Sequence, residues 1–189
     1  MGASGRDWHN FLIKYSNNPF YDVKCFTAAQ IPGLEKRKFP RELAGKLYNK
    51  DIPIFNEELL PELIKNYKID DVVLSYSDLN HLEVMHKASI VLANGANYIL
   101  LGPNDTMIKS KKKVIAVTAV RTGAGKSQTS RRIVDILRKH KKKVVVVRHP
   151  MPYGDLKMER SQRFGSYKDL LEQNCTIEEH EEYDAWISK

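Results

Sequence analysis

The chain has few cysteines and no hydrophobic run long enough to cross a membrane. Its 189 residues include two cysteines, Cys25 and Cys175, which lie far apart and match no paired metal motif. We therefore expect free thiols rather than a disulfide, as in a reducing cytoplasm. The longest apolar runs are strand-sized, and the N-terminus lacks the apolar region of a signal peptide. These absences predict a cytoplasmic protein with no membrane association.

Acidic residues are nearly missing from one stretch of a chain whose net charge is +8. Residues 109–148 hold 14 Lys or Arg against 1 Asp or Glu, whereas residues 1–108 hold 12 against 13 and residues 149–189 hold 5 against 9. Such a basic stretch suits a phosphate-rich ligand or a nucleic acid. The lysine runs 111–113 and 141–143 resemble solvated strand entries, and no interleaved aromatic residues suggest base stacking. We expect a phosphate ligand, with Arg131 and Arg132 as further cations, and no nucleic-acid partner.

A glycine-rich turn lies inside this basic stretch, between a β-branched run at 114–120 and an amphipathic segment at 128–140. A strand, a Gly-rich turn and a helix start direct backbone N–H groups and the positive end of a helix dipole at one point, which predicts a phosphate-binding P-loop. Lys126 would reach the β- and γ-phosphates, and the Ser127 hydroxyl would ligate Mg²⁺. The predicted nucleotide-binding residues are Arg121, Thr122, Gly123, Ala124, Gly125, Lys126, Ser127 and Gln128.

The turn departs from the standard Walker A pattern, because Val120 stands where the first glycine belongs. It resembles the deviant form of partitioning ATPases and metallocentre-assembly GTPases, with Arg121 at the signature-lysine position and Thr122 at the first glycine. In that class the extra cation contacts the transferring phosphate, often in the partner subunit, which makes a homodimer one arrangement to expect. Lys126 and Arg121 are thus the candidate catalytic residues, and an ordinary solvated cation is the alternative for Arg121.

Strands that alternate with helices predict an α/β protein with parallel sheets. We expect a Rossmann-like domain over residues 1–102, a polar linker over 103–113, and the N-terminal part of a P-loop NTPase domain over 114–189. The predicted strands are 21–27, 52–55, 71–76, 98–101, 114–120 and 144–148. The predicted helices are 7–15, 57–67, 78–94 and 128–140, with Asn56 capping the second and Gly95 ending the third. In the third helix the expected apolar side consists of Leu82, Met85, Ala88, Val91 and Leu92.

The turn at residues 2–5 is a weaker candidate for a ligand loop. Its glycines do not match the full dinucleotide fingerprint, and no strand precedes it in the sequence. A structural turn and a ligand loop both remain open for Gly2, Gly5 and Arg6.

Five stretches of sequence, at 2–11, 26–33, 116–132, 144–156 and 174–179, resemble the cyclic 2,3-diphosphoglycerate synthetase family and its relatives called predicted GTPases. The resemblance runs nearly from end to end. It implies ATP-driven closure of a phosphoanhydride within a small bisphosphorylated anion, with ATP (or GTP) and Mg²⁺ as cofactors. It also implies a strand before Gly2 and further sequence after Lys189, so we expect this chain to be truncated and to bind nucleotide weakly without turnover.

Such chemistry needs fixed cations, since two phosphates of one molecule repel each other. Arg148 and His149 follow a predicted parallel strand, where open α/β sheets bind ligands, and Tyr153 offers a hydroxyl in the next turn. These three are candidate substrate residues, although His149 could equally be a pre-proline turn residue. We expect the acidic residues Glu178, Glu179, Glu181 and Glu182 to form a solvated helix face rather than a metal site, and Cys175 to be a buried thiol.

Three classes of function remain open. The first is an ATP-dependent synthetase acting on a small phosphorylated anion. The second is a regulatory or assembly GTPase, or a fragment that only binds nucleotide, although no guanine-selecting Asn/Thr-Lys-x-Asp motif follows the turn. The third is a nucleic-acid binder, which steeply salt-dependent DNA affinity would reveal.

Overall fold

The computed structural model describes residues 1–2, 5–29, 37–119, 123–148, 155–173 and 175–187 and shows a mixed α/β protein with small parallel sheets. The strands are β1 (Phe26–Ala28), β2 (Lys38–Phe39), β3 (Ile52–Asn56), β4 (Asp71–Leu74) and β5 (Asn97–Leu100). The helices are α1 (Arg6–Asn10), α2 (Arg41–Ala44), α3 (Leu60–Tyr67), α4 (His81–Ala93), α5 (Pro103–Thr106), α6 (Lys126–Lys139), α7 (Tyr167–Glu172) and α8 (Ile177–Ile187). A π-helical turn, Phe11–Tyr15, continues α1, and a 3₁₀ turn, Glu57–Leu59, leads into α3.

These elements divide into two compact units. The first unit comprises Met1–Val114 with Met151–Lys157, and the second comprises Ile115–Pro150 with Met158–Lys189. The domain boundaries expected from the sequence stay a prediction. No helix within the described ranges is both long and apolar enough to cross a membrane.

The first unit is built on two groups of strands. β1 and β3 pair in parallel, with Phe26 opposite Ile54, and β2 pairs antiparallel with the start of β3. β4 and β5 form a second parallel pair, with Val72 opposite Tyr98. Parallel pairs need a crossover: β2 and α2 lie between β1 and β3 in the chain, and α4 lies between β4 and β5. The alternation of strands and helices predicted for this part of the chain is confirmed.

Two residues at the start of the chain lie between these strand groups. The Met1 nitrogen donates to the Val73 carbonyl at 2.8 Å, and the Ser75 amide donates to the Met1 carbonyl at 2.8 Å. On the other side, the Gly2 amide donates to the Thr27 carbonyl at 3.0 Å. Met1 and Gly2 therefore hydrogen-bond to the end of β1 and to the end of β4 as a very short central strand would.

Aromatic side chains fill the main core of the first unit. The Phe11 ring lies 5.5 Å from the rings of Phe26 and Phe39 and 5.3 Å from that of Tyr48, in edge-to-face contacts. Such contacts add about 0.5–1.5 kcal/mol each to the free energy of burial. A second cluster joins α3, β4 and α4 through the buried residues Leu60, Ile64, Val72, Val91 and Ala96.

Caps set the starts of two helical segments in the first unit, and α4 begins at His81 rather than at the predicted Asp78. The Asn80 side chain accepts from the Glu83 amide and the Glu83 carboxylate accepts from the Asn80 amide, a capping box that starts α4. Asn56 caps the 3₁₀ turn through the Glu58 amide, as predicted. The predicted apolar side of α4 is wrong in part: Ala88 and Val91 are buried, but Leu82, Met85 and Leu92 are 60–66% exposed. The helical periodicity of the apolar residues predicted the helix, but it did not predict how wide the buried face of that helix is.

The second unit contains α6, α7 and α8. The predicted helix after the glycine-rich turn is confirmed as α6. The two strands expected around it are not: neither residues 114–119 nor residues 142–148 belong to a sheet in the described structure, and Val145 and Val147 are 85% and 87% exposed. β-branched residues favour a pleated, half-buried surface, but a strand forms only where a neighbouring strand accepts its hydrogen bonds. No specific P-loop NTPase fold is therefore established.

Candidate functional site

The glycine-rich turn leads directly into α6. Gly123 and Gly125 have φ angles of 77° and 87°, in the left-handed region that other residues adopt only with strain. Gly125 is the residue before the first helical position, so the backbone reverses there and α6 begins at Lys126. The free N–H groups of a helix start, together with its dipole, attract anions. Lys126 is exposed at this end of the helix, next to the half-buried Ser127.

Ser127 makes the contact that distinguishes this helix start from an ordinary one. Its hydroxyl donates to Oε1 of Glu182 at 3.1 Å, and Oε2 of the same carboxylate pairs with the Arg148 guanidinium. The Glu182 and Arg148 side chains are 30% and 32% exposed, so the group remains open to solvent. The structure thus joins two residues that the sequence predicted, Ser127 and Arg148, through a carboxylate that it did not.

Packing around α8 fixes the position of that carboxylate. The Arg148 guanidinium lies 5.4 Å from the centre of the Tyr183 ring, and Tyr183 is buried and stacks on Phe164 at 4.6 Å. One turn further along α8, Trp186 lies 5.9 Å from the Arg131 guanidinium of α6. Cation–π contacts of this kind contribute about 0.5–2 kcal/mol each. Arg131, expected to serve a ligand, therefore packs α6 against α8.

The acidic run at the start of α8 is not the uniform solvated face that the sequence suggested. Glu179 is 8% exposed and accepts from the Thr176 amide at 3.2 Å, while the Thr176 hydroxyl accepts from the Glu179 amide at 3.2 Å. This reciprocal pair caps the helix. Glu181 is exposed, as expected, and Glu182 contacts Ser127. Helical spacing explains the split, since Glu179 and Glu182 lie three residues apart on one side of α8 and Glu181 lies on another.

The donor set at the start of α6 suits a magnesium–nucleotide complex. Mg²⁺ prefers hard oxygen ligands and is commonly held by one or two protein groups plus phosphate oxygens. Ser127 and Glu182 offer a hydroxyl and a carboxylate oxygen at one point, next to an exposed lysine. The described residues contain no group of three or more His, Cys, Asp or Glu side chains that could hold a metal by themselves. Ser127 and Glu182 fit a Mg²⁺ ion that phosphate oxygens also hold, because they supply two oxygen donors at one point.

Four predicted site residues, Arg121, Thr122, His149 and Tyr153, lie outside the described residues. Gly123, Ala124 and Gln128 are exposed or partly exposed around the start of α6, and the structure adds no partner that tests their predicted roles. Gly2, Gly5 and Arg6 belong to the first unit.

Two of the residues predicted near the start of the first unit, Gly2 and Gly5, lie close to Asp7. The Gly5 amide donates to Oδ1 of Asp7 at 2.8 Å. A β-carbon placed on Gly2 would lie 2.4 Å from the Asp7 side chain, so glycine is required there by close approach. Burial raises the pKa of Asp7, although the nearby Met1 ammonium opposes that shift. This explains the glycine structurally, and a ligand role for Gly2, Gly5 or Arg6 stays a prediction.

A second polar cluster, which sequence reasoning missed, lies at the carboxyl ends of the strands in the first unit. Glu57 is buried directly after β3, where it pairs with Lys87 and accepts from the Tyr76 hydroxyl at 2.9 Å. The same hydroxyl accepts from the Ala29 amide, just after β1, at 3.2 Å. Burial and the Glu57 charge raise the pKa of Tyr76. Open α/β sheets bind ligands at this edge, and the position of Glu57 after a strand was the available signal.

Comparison with known proteins gives one informative relative. Over all 189 residues the chain is 53% identical to the arginine synthetase ArcE of Thermococcus kodakarensis. The chain spans 42% of the length of this arginine synthetase. No protein-family model and no solved structure matches the chain. The name of the relative points to a synthetase, as expected, and does not single out cyclic 2,3-diphosphoglycerate as the product.

Proposed function

We propose that this chain carries the nucleotide-binding part of an ATP-dependent synthetase and binds Mg²⁺·ATP at the start of α6. The single observation that carries the proposal is the convergence of Ser127, Glu182 and Arg148 beside the exposed Lys126. The named synthetase relative and the deviant P-loop sequence support it independently. In this proposal Mg²⁺ supplies charge neutralisation of the phosphates when it is bound.

The residues of the chain have distinct roles in this site. The N–H groups at the start of α6 and the Lys126 ammonium would bind phosphate oxygens. The N–H groups supply hydrogen bonds and partial positive charge, and the ammonium supplies a full positive charge. Ser127 and Glu182 would provide the protein oxygens for Mg²⁺. Arg148 would keep the Glu182 carboxylate oriented, since its guanidinium pairs with the oxygen that does not face Ser127.

Two reactions are candidates for the protein to which this site belongs. Formation of arginine is the first, because the identity to the arginine synthetase covers the whole of this chain. Closure of a cyclic phosphoanhydride is the second, because of the family resemblance of the motifs. Ligand-induced thermal stabilisation in the presence of Mg²⁺·ATP separates them, since a ligand raises the unfolding temperature of the state that binds it. We expect arginine, rather than 2,3-bisphosphoglycerate, to raise it.

Nucleotide titrations test the site itself. We expect Lys126→Ala to weaken Mg²⁺·ATP binding about 10-fold or more, as loss of a charged hydrogen bond of about 1.5–3 kcal/mol implies. Glu182→Gln is expected to weaken binding with Mg²⁺ but to strengthen it slightly in EDTA, because a carboxylate near phosphates is favourable only with the metal between them. GTP competition against ATP tests the regulatory GTPase alternative.

The exposed neighbour Glu181 gives a matched control, since Glu181→Gln removes the same charge from the same helix. We expect it to leave both affinities unchanged. Equal effects of Glu181→Gln and Glu182→Gln would show a general charge effect instead of a metal ligand. Undiminished binding in Lys126→Ala would reject the site at α6.

A further inference from the structure

The chain leaves α4 and enters β5 through a tight turn at Asn94 and Gly95. The Gly95 amide donates to the Leu92 carbonyl at 3.0 Å. The Ala96 amide donates to the Val91 carbonyl at 3.3 Å. Gly95 has a φ angle of 88°, in the left-handed region. The two hydrogen bonds and the left-handed glycine form a Schellman motif, whose apolar contact joins the buried Val91 and Ala96.

The sequence of this turn is chemically reactive. Among the asparagines of the chain, only Asn94 is followed by glycine. Glycine has no β-carbon to shield its backbone nitrogen, so the Gly95 nitrogen has access to the side-chain carbonyl carbon before it. After giving its proton to solvent, this nitrogen attacks Cγ of Asn94, while Nδ2 takes up a proton and leaves as ammonia. Water then opens the resulting succinimide ring at either carbonyl, which gives aspartate or isoaspartate.

The turn is open to water, but its folded geometry opposes this attack. Asn94 is partly exposed and Gly95 is exposed. The Asn94 Nδ2 group donates to the Ile90 carbonyl at 2.8 Å, which ties the side chain to α4. The Gly95 nitrogen is in turn bonded to Leu92. Both reacting groups must leave these partners first, so the reaction requires local opening of the turn.

We propose that Asn94 is a site of spontaneous deamidation and that opening of the turn between α4 and β5 sets its rate. A helix end that lies at the surface opens at a lower free-energy cost than the whole unit, because few buried contacts are lost. The turn belongs to the first unit, so the proposal does not depend on the nucleotide site at α6.

Either product fits the turn less well than asparagine does. A carboxylate cannot donate to the Ile90 carbonyl, and its negative charge lies at the C-terminal end of α4, where the helix dipole disfavours anions. Isoaspartate also adds a carbon to the main chain, which displaces Ala96 from the Val91 carbonyl. The variant Asn94→Asp carries one of the two products. We expect its thermal unfolding midpoint, reported by the fluorescence of the buried Trp8, to lie below that of the wild type, and an equal midpoint would contradict this consequence.

Peptide mapping by mass spectrometry tests the proposal on the full chain, incubated at mildly alkaline pH either folded or in urea, with an unincubated sample as the baseline. The tryptic peptide from Ala88 to Lys109 contains Asn94 together with Asn97 and Asn104, which serve as internal controls. In urea we expect Asn94 to deamidate faster than either control. In the folded chain we expect its rate to be lower by about 10-fold or more, because the hydrogen bonds of the turn must break first.

Two alanine variants at adjacent positions of α4 test the role of opening. The Val91 side chain is fully buried against the turn, whereas Leu92 is 60% exposed, and both variants keep their backbone carbonyls. We expect Val91→Ala to speed deamidation of Asn94 several-fold under conditions where Trp8 fluorescence shows a folded unit, and Leu92→Ala to leave the rate unchanged. Equal rates for these two variants would overturn the proposal. Equal Asn94 rates in the folded and urea-unfolded wild type, or equal rates at all three asparagines in urea, would also overturn it, whether or not Val91→Ala folds.

Discussion

The two units of the molecule differ in whether their β-branched segments pair into sheets. In the first unit the β-branched strands are paired and buried, and Ile52 and Ile54 of β3 are each 2% exposed. In the second unit the β-branched run at residues 144–147 pairs with no strand in the described structure, and Val145 is 85% exposed. Both runs have high strand propensity, so propensity does not explain the difference. Neighbouring strands do, because a strand needs a partner edge for its backbone hydrogen bonds.

Helices show no such difference between the units. α4 begins at a capping box formed by Asn80 and Glu83, and α7 begins at one formed by Ser166 and Asp169. A helix satisfies its own backbone and needs only local signals at its ends, so both units form their helices. The candidate nucleotide site relies on this property, since its main residues lie on α6 and α8.

The largest expected contrast between the units concerns two isoleucines. Ile54 lies in the core of the first unit and Ile115 is 59% exposed in the second. Ile54→Ala should lower the free energy of unfolding by about 2–5 kcal/mol, whereas Ile115→Ala should change it by about 0.5 kcal/mol or less. Denaturant titrations followed by Trp8 and by Trp186, one tryptophan in each unit, measure the two effects.

The same substitution in both positions makes the test independent of residue type. A loss of several kcal/mol on Ile115→Ala would show that this residue is buried in solution, and would remove the contrast between the units.

Removal of a carboxylate charge should also destabilise the first unit more than the second, by a smaller margin than the isoleucine substitutions. Glu57 is buried with Lys87 and Tyr76 as partners, while the Glu182 side chain is 30% exposed. Glu57→Gln should destabilise the first unit by about 1.5–3 kcal/mol, because charged hydrogen bonds are lost. Glu182→Gln should change the stability of the second unit by less than about 1 kcal/mol, as for an exposed pair. Chemical unfolding curves provide both free energies. A larger loss of stability for Glu182→Gln than for Glu57→Gln would contradict this contrast between the units.

The smallest expected effect is a pH dependence confined to the first unit. Burial lowers the pKa of the Met1 ammonium below 8.0 in the folded chain. The unfolded chain then binds the proton more tightly, so this group's contribution is complete above pH 8.0 and is lost as the pH falls through the folded-state value. Thermal midpoints reported by Trp8 should therefore fall as the pH is lowered below 8. A chain acetylated at the Met1 nitrogen, which carries no charge there, should not show this decrease.

How much the sequence could predict depends on how far apart along the chain the interacting residues lie. The cap at Asn56 and the end of α4 near Gly95 follow from nearby residues and were predicted correctly, and α6 begins at Lys126, two residues before the predicted start at Gln128. The role of Glu182 was missed because Ser127 lies 55 residues away along the chain. The same limit explains the two strands that were expected around α6, since their pairing depends on partners that local sequence does not reveal.

Hydrogen exchange with and without Mg²⁺·ATP tests the central claim most directly, because it reports which unit holds the nucleotide. We predict slower exchange of the backbone amides at the start of α6, from Gly125 to Thr129, and around Glu182 in α8. In Lys126→Ala this protection should disappear at the same nucleotide concentration. Protection that appears instead around Gly5 and Tyr76 of the first unit, with none at α6, would contradict the account.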